Sequence, residues 1–342
     1  MQHLDLEVIC QAIDWLVPAD GTRPDSPIWL CTVLSTFGSS PREPGTWLVA
    51  REDGQHRGSL SGGCVEEDFL ARLADGEFTT PAQVIRYGEG GHQGAGIALP
   101  CGGILEVLVE RFTACEDDIA HLKALRAALE GQTPRLRLVQ LDGEPASRQL
   151  QDDSGLGERV ERLTGHDGQT SGYQLRVGPV ARLLLAGLSP VAEACAAFAV
   201  SLGFEVIICE PREEVLGDWD ARKAPLAGVT LRRELPSRFI AAGGCHAATA
   251  VVALTHDPRI DDLAMIEAVR QPAFYIGVMG SQRTSQARAE RLARSGGLSA
   301  EEIARIVMPI GLNLGSKTPA EIALAVMADI VRIRRGRARG SL

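Results

Sequence analysis

From residue 180 onward, short apolar runs alternate with helical segments, and this alternation limits the fold more than any other feature of the chain. The runs are continuously apolar, as expected for strands of a parallel sheet that is covered on both faces. The pattern predicts strands at Val180–Ala186, Phe204–Cys209, Val229–Leu231, Ala248–Leu254 and Ala273–Val278, with helices at Pro190–Leu202, Pro236–Ala242 and Pro258–Val269. It therefore predicts a Rossmann-like, doubly wound domain over residues 179–336.

Two further helices are expected at the end of this domain, at Ser299–Val307 and Thr318–Arg335. Each begins with a capping box, in which a Ser or Thr is followed three residues later by Glu302 or Glu321. Proline at position 319 suits the first turn of the second helix, where no N–H is required.

The N-terminal part mixes both types of secondary structure and is predicted to be a separate α/β domain, residues 1–115. The expected elements are helices at Leu4–Leu16 and Cys64–Leu73, strands at Pro27–Ser35 and Ile104–Val109, and a hairpin of Thr46–Ala50 with Arg57–Leu60. Residues 116–178 are interpreted as a helical linker, Asp117–Leu129, followed by a short strand, Leu136–Leu141, and a polar, exposed insertion at Asp142–Gly172, for which a hairpin is one interpretation.

Charge excludes one large class of function. Lys and Arg number 35 against 44 Asp and Glu, so the formal net charge is −9. A nucleic-acid-binding surface needs clustered Lys and Arg to neutralise phosphates, and this balance argues against one.

The chain also lacks the features of a membrane or secreted protein. Its longest apolar runs, such as Ala247–Leu254, are far shorter than the ~18 residues needed to cross a bilayer. The first 20 residues contain no Lys or Arg, which a secretory signal would carry. The eight cysteines include no CxxC pair, and we expect a cytoplasmic protein with reduced thiols, several of them buried in the core.

The turn Gly187–Ala192 stands where a dinucleotide-binding fold places its glycine-rich fingerprint. Gly187 and Ala192 fit the fingerprint, but Ser189 replaces the second glycine and Pro190 lacks an N–H. Glu210 occupies the position expected to bind ribose. A nucleotide site and a plain helix cap, formed by Ser189 and Pro190, are both open interpretations.

Two further turns are candidate anion sites. Gly280 and Ser281 follow a predicted strand and precede a helix with Arg283 in its first turn, an arrangement that suits an anion. The alternative is a capped helix with a solvated arginine. Lys317, just before the Thr318 cap, opposes the helix dipole, which a nearby anion would explain.

His256 lies at the carboxyl end of the strand Ala248–Leu254, the edge at which open α/β sheets bind ligands. Asp257 and Pro258 are explained as the cap and first residue of the next helix. This explanation does not extend to His256, which remains a candidate for contact with a ligand.

Two cysteines are flanked by glycines. Cys64 follows Gly62 and Gly63 at the start of a helix, and Cys101 precedes two more glycines. A helix N-terminus stabilises a thiolate, and thiolates suit sulfur transfer or metal binding, whereas a lone cysteine is more commonly a small core residue. A zinc site that includes His92 is conceivable, but the ligand spacing does not support it.

Six motifs resemble, in the same order, the XdhC/CoxI family of accessory proteins for xanthine dehydrogenase and related molybdenum hydroxylases. They are GSSPREPG at 38–45, GSLSGGCVE at 58–66, CGGILEV at 101–107, THDPRIDD at 255–262, YIGVMGS at 275–281 and IGLNLGSKTP at 310–319. The resemblance implies an N-terminal XdhC/CoxI-type domain followed by a Rossmann-like domain.

The resemblance also implies a function. Family members bind molybdenum cofactor, support its sulfuration with a cysteine desulfurase and help to insert it into an apo molybdenum hydroxylase. The implied cofactor is molybdopterin, plain or in its cytosine dinucleotide form, and a homodimer is implied as well. The expected contacts with the cofactor come from Cys64, Cys101, Gly62, Gly63 and His256, and contacts with its anionic tail from Gly280, Ser281, Arg283 and Lys317.

One motif departs from the family. The first Rossmann turn usually reads Gly-Ala-Gly-His, whereas here it reads Gly-Leu-Ser-Pro at 187–190. This departure puts nucleotide binding at the turn in doubt. Three hypotheses therefore follow: a non-catalytic cofactor chaperone, which we prefer, an NAD(P)-dependent oxidoreductase, and a ligand-free scaffold that docks the hydroxylase.

Overall fold

The computed structural model describes residues 2–18, 26–37, 42–88, 103–143, 146–153, 158–165, 168–221 and 226–338. The chain forms two compact units, Met1–Pro179 and Val180–Leu342. Cys101, His92 and the loop 38–41 lie outside the described residues, and only the backbone of Cys64 is described.

The N-terminal unit begins with a five-stranded antiparallel sheet in the order β3-β2-β1-β5-β4. Its elements are α1 (Gln2–Leu16), β1 (Ile28–Phe37), β2 (Trp47–Ala50), β3 (His56–Gly58), α2 (Cys64–Ala74), β4 (Ala82–Gly88) and β5 (Ile104–Phe112). The predicted hairpin is confirmed by the pairing of β2 with β3. Strand β4 was not predicted, because its last residues run into a glycine-rich stretch.

The apolar face of α2 packs on this sheet. Val65, Phe69 and Leu73 recur at helical spacing, and all three are buried in one cluster with Cys31 and Val107. The predicted amphipathic helix is thus confirmed, and it fixes where the preceding turn, residues 59–63, meets the sheet.

A second, four-stranded antiparallel sheet follows in the order β7-β6-β9-β8. Its elements are α3 (Glu116–Leu129), β6 (Arg135–Gln140), β7 (Ser147–Asp152), β8 (Val160–Thr164) and β9 (Thr170–Val177). The strand predicted at Leu136–Leu141 is confirmed as β6. The insertion predicted at Asp142–Gly172 contains β7 and β8, whose side chains are half-buried or exposed, and beyond it Tyr173 and Leu175 of β9 are buried with Leu108 of β5. The charged and polar residues of β7 and β8 conceal the strand pattern.

A buried ion pair lies between the two sheets of this unit. Arg137 of β6 and Glu110 of β5 both have 0% exposed side chains, and Nη2 of Arg137 donates to Oε2 of Glu110 over 2.6 Å. Nε of Arg137 also lies 3.3 Å from Nε2 of His121 in α3. Burial and the nearby Arg137 lower the pKa of His121 to about 2, so this imidazole is neutral.

The C-terminal unit contains a six-stranded parallel sheet in the order β12-β11-β10-β13-β14-β15. Its elements are β10 (Arg182–Ala186), α4 (Pro190–Ser201), β11 (Glu205–Cys209), α5 (Glu213–Asp220), β12 (Val229–Arg232), α6 (Pro236–Ala241), β13 (Thr249–Ala253), α7 (Pro258–Ala268), β14 (Tyr275–Val278), α8 (Gln282–Arg294), α9 (Ala300–Ala304), β15 (Ile306–Val307) and α10 (Pro319–Arg334). The predicted doubly wound fold is confirmed.

Both faces of this sheet are covered, which explains its continuously apolar strands. Leu183 and Leu185 of β10 face one core cluster, whereas Leu184 and Ala186 face the other. None of the described helices is both long and apolar enough to cross a membrane.

One predicted helix is wrong in its extent. The helix expected at Ser299–Val307 ends at Ala304, and Ile306 and Val307 form the edge strand β15. Ile306 pairs with Ile276 of β14, so sheet pairing takes over from the helix that the capping box begins.

We predict that Arg137→Met strongly destabilises the N-terminal unit. The substitution leaves the Glu110 carboxylate buried without its partner, which costs about 3–5 kcal/mol. Urea unfolding at pH 7 measures this loss. Arg135→Ala is the matched control on the same strand, since Arg135 pairs with the exposed Asp152 and its loss costs under about 1 kcal/mol. Equal losses for both variants would contradict the prediction.

Candidate functional site

The strand order of the parallel sheet reverses between β10 and β13, and the turns after these strands are in contact. Gly187 has a φ of +89°, and a Cβ built on it would lie 2.2 Å from Cγ2 of Thr255. Glycine alone accommodates both this conformation and this approach. Protein atoms thus close part of the crevice where doubly wound sheets usually bind nucleotides.

Glu210 occupies the same turn from the neighbouring strand. Its Oε2 accepts from the N–H of Leu188 over 2.6 Å and from Nη2 of Arg212 over 2.7 Å. Burial raises the pKa of Glu210, but the hydrogen bonds from Arg212 and Leu188 outweigh burial and lower it. The carboxylate expected to bind ribose is instead bound to protein groups.

Ser189 and Pro190 form a helix cap. The hydroxyl of Ser189 accepts from the N–H of Ala192 over 3.1 Å, and Pro190 is the first residue of α4. The helix-cap interpretation is confirmed.

The turn after β13 is organised by another buried carboxylate. Asp261 accepts from the backbone N–H of Thr255 and of His256, and from the Thr255 hydroxyl over 2.6 Å. His256 has a φ of +65°, the only positive value at a non-glycine residue in the described chain. Its side chain is exposed and makes no hydrogen bond to any described residue. Such a strained residue at a sheet edge is a candidate for ligand contact.

The turn before α2 encloses a carboxylate. Glu66 is 6% exposed and accepts six hydrogen bonds, which come from the N–H groups of residues 60–63 and the hydroxyls of Ser59 and Ser61. Burial raises the pKa of Glu66, but these hydrogen bonds outweigh it and hold the pKa well below its ordinary value. The amides of Gly62 and Gly63 are therefore engaged, and the turn places Cys64 at the first position of α2.

A fourth turn, before α10, has the same arrangement. Oε2 of Glu321 accepts from the N–H groups of Lys317 and Thr318, over 2.8 and 3.0 Å. This internal anion explains a lysine at that position. The Lys317 side chain is exposed and makes no contact with a described acceptor.

The turn before α8 differs from these four. The hydroxyl of Ser281 caps the helix by accepting from the N–H of Thr284 over 3.2 Å. No carboxylate of the described residues accepts from the amides of Gly280, Gln282 or Arg283. Arg283 is exposed and contacts no described acceptor. The capped helix is confirmed, and its first amides are accessible to an anion.

A cleft of about 530 Å³ opens at this turn. One wall is formed by Met279, Gly280, Ser281 and Gln282, and the other by the loop 309–316 with Ile322 and Ala325 of α10. This volume lies within the ~300–1,000 Å³ of pockets that enclose small organic molecules. Arg283 and Lys317 each follow a residue that lines the cleft.

Gly280 leaves room for the polar groups of α8. A Cβ at this position would lie 2.7 Å from Oγ1 of Thr284 and 3.5 Å from Oγ of Ser285. The Ser285 hydroxyl is buried and has no hydrogen-bond partner in the described chain. Such an orphaned hydroxyl beside free helix amides is unusual in a folded protein and marks a polar site.

Arg288 of α8 holds the turn between β14 and α8 in place. Its guanidinium donates to the Met279 carbonyl and to Asp262, each over 2.8 Å, and reaches Asp261 at 3.5 Å. Since Asp261 also holds the His256 turn, one buried network joins the turns after β13 and β14, which lie at the same edge of the sheet.

Four of the described cysteines are buried in the core. Cys31, Cys195, Cys209 and Cys245 are buried, and burial raises the pKa of Cys195 to about 12 and of Cys245 to about 11. They are inert core residues, as expected.

Cys64 lies in the N-terminal unit, whereas the cleft belongs to the C-terminal unit. Within the described ranges, no cluster of three or more His, Cys, Asp or Glu is arranged to hold a metal ion.

Comparison with known proteins identifies the class of protein. Residues 183–330 match the XdhC Rossmann domain, and residues 22–88 match the XdhC and CoxI family. The chain belongs to the XdhC/CoxI family.

Two curated relatives match over most of both chains. The molybdenum cofactor insertion chaperone PaoD of Escherichia coli is 28% identical over 306 residues, covering 89% of this chain and 83% of PaoD. A probable xanthine dehydrogenase subunit of Bacillus subtilis is 26% identical over 322 residues, covering 90% and 93%. A crystal structure described as a xanthine dehydrogenase from Bacillus halodurans shares the fold, with a TM-score of 0.67, 21% identity, and coverage of 100% of this chain and 98% of that one.

We predict that Glu66→Gln destabilises the N-terminal unit by about 2–3 kcal/mol at pH 7, because an amide nitrogen then faces hydrogen-bond donors. Urea unfolding measures the loss, and the exposed neighbour substitution Glu67→Gln is the control. The pKa of Glu66 is lowered on folding, so its contribution is complete above the ordinary value of about 4.3 and falls below it. The gap between wild type and variant must therefore narrow in acid; a constant gap would be inconsistent with a charged Glu66.

Proposed function

We propose that this protein is an accessory protein that binds molybdenum cofactor and promotes its sulfuration and its insertion into a xanthine dehydrogenase-type molybdenum hydroxylase. The names of the two curated relatives support a role connected with this cofactor and this class of enzyme. The proposed partners are the apo hydroxylase, a cysteine desulfurase and a second copy of the chain, in the cytoplasm.

One structural observation carries the proposal. The N-terminus of α8 is the candidate turn without an internal carboxylate, and it opens into a cleft of about 530 Å³. The amides of Gln282 and Arg283, the Ser281 hydroxyl and the nearby cations Arg283 and Lys317 suit the phosphate of a pterin cofactor. Gly280 keeps the turn open, and His256 lies at the adjacent strand end.

The thiols have a separate role in the proposal. Cys64 is held at the first position of α2 by the Glu66 turn. A thiolate here suits contact with the molybdenum or its terminal sulfur, which the bound cofactor would supply. Cys101 has the same proposed role, and Gly62 and Gly63 shape the turn that presents Cys64. The proposal includes both the plain and the cytosine dinucleotide forms of the cofactor.

The turn after β10, whose Leu188 amide already donates to Glu210, counts against the oxidoreductase hypothesis. An NAD(P) pyrophosphate would need the Leu188 amide, which Glu210 already engages, and Pro190 offers no N–H. The ligand-free scaffold hypothesis predicts that the purified protein contains no cofactor. Cofactor content therefore distinguishes this hypothesis from the proposed function.

We expect the protein, purified from a host that makes molybdenum cofactor, to contain near-stoichiometric molybdenum and pterin. Cys64→Ser or Cys101→Ser should lose most of the molybdenum while the unfolding midpoint stays unchanged. Metal analysis and the fluorescence of the oxidised pterin give both values. Absence of both components from the wild type, with cofactor in excess, would refute the proposal and favour the scaffold.

We expect Arg283→Ala to lower the affinity for the cofactor about tenfold, since one charge-assisted contact is worth about 1.5–3 kcal/mol. Gly280→Ala should weaken binding as well, because its Cβ displaces the Thr284 hydroxyl. Arg294→Ala, at the opposite end of α8, is the control and should leave binding unchanged. Retention of pterin by the purified variants measures the effect, and equal retention by all three would argue against this cleft.

A further inference from the structure

The cleft is larger than a phosphate group requires, and its second half has a distinct composition. Beyond the α8 turn, apolar side chains of Ile310, Leu312 and Ile322 line the cleft. A flat ring system could pack against such a surface, but apolar contact alone would not select among rings. Selection needs polar groups placed at the edge of the ring.

Two carboxamides supply such groups. Gln282 lines the cleft on the α8 side and Asn313 on the loop side. Both side chains are exposed, and neither makes a hydrogen bond with any described residue. Each carboxamide therefore presents one acceptor and two donor positions to whatever enters the cleft. Asn313 is the only asparagine among the 342 residues of the chain.

The loop that carries Asn313 is fastened to α10 on both sides. Leu312 donates its N–H to the carbonyl of Ala325 over 3.1 Å, and the Ser316 hydroxyl donates to the carbonyl of Glu321 over the same distance. Gly311 approaches so closely that a Cβ would lie 3.0 Å from backbone atoms of α10. Asn313 thus lies between two fixed points, which is the placement required of a selective group.

We propose that Asn313, assisted by Gln282, recognises the edge of a pterin ring whose phosphate binds at the N-terminus of α8; this inference rests on the proposed function. Asn and Gln side chains form paired hydrogen bonds with ring edges that place a donor beside an acceptor, as they do with adenine. The pyrimidine edge of a pterin has this arrangement. Asn313 is therefore a specificity-determining residue, and the helix amides supply the affinity for the anion.

Two phosphate esters separate these contributions when bound to the full-length protein. 6-Hydroxymethylpterin phosphate has both the phosphate and the ring edge, whereas benzyl phosphate has the phosphate and an aromatic ring without that edge. We expect the wild type to bind the pterin ester at least about tenfold more tightly, since a good bidentate pair contributes a factor of about 5–150. Isothermal titration calorimetry measures both dissociation constants.

Asn313→Leu should weaken the pterin ester about tenfold and leave benzyl phosphate unchanged. Gln282→Leu should have a smaller effect in the same direction, and Gln286→Leu, one turn further along α8 and outside the cleft, should have none. Arg283→Ala should weaken both esters equally. Because benzyl phosphate reports on the same cleft, its unchanged affinity shows that the variant is folded.

Equal affinity of the wild type for the two esters, or equal weakening of both by Asn313→Leu, would overturn the role of Asn313 while leaving the anion site intact. If neither ester binds but the purified protein contains molybdenum and pterin, this inference is wrong and the proposed function stands. If neither ester binds and the purified protein contains no cofactor, both are wrong.

Discussion

Hydrogen bonds from backbone amides to a carboxylate of the same chain determine the shape of the turns in which most candidate site residues lie. Sharp turns point several N–H groups in one direction, and each needs an acceptor when water is excluded. The buried Glu66, Glu210 and Asp261 supply these acceptors at three turns, and the exposed Glu321 binds amides in the same way at a fourth. Those turns keep their shape without a ligand, which makes the accessible amides at the start of α8 distinctive.

Much of the C-terminal fold could be predicted because its physical cause is local. Burial on both faces of a parallel sheet requires continuously apolar strands, so the sequence shows β10, β11, β13 and β14 directly. The capping boxes at Ser299 and Thr318 also have a local cause. In each, the free amides at the start of the helix are bound by side chains within three residues, so the sequence marks where the helix begins. The candidate residues Gly280, Ser281 and His256 follow from the rule that ligands bind at the carboxyl ends of such strands.

The remaining features arise from contacts between residues distant in sequence. The strand that carries Arg137 is predicted, but Arg137 has the pattern of a surface residue, and its buried partner Glu110 lies 27 residues away in sequence. Glu66 has a local signal, a carboxylate in the first turn of a helix, but the number of its donors depends on how the turn folds back. Asn313 becomes part of the cleft only because Gly311 and Leu312 pack on α10, so no local pattern could assign it.

The proposed cofactor carries a phosphate, whereas the chain has a net charge of −9, and the range of the two electrostatic effects decides whether they are compatible. Long-range attraction depends on net charge and is screened by salt, whereas binding at a helix terminus depends on dipoles and amides within a few ångströms. Carboxylates of the chain accept from the amides of the four turns described above, whereas no described carboxylate accepts from the first amides of α8. The overall negative charge disfavours nucleic acids and other polyanions without weakening the proposed local site.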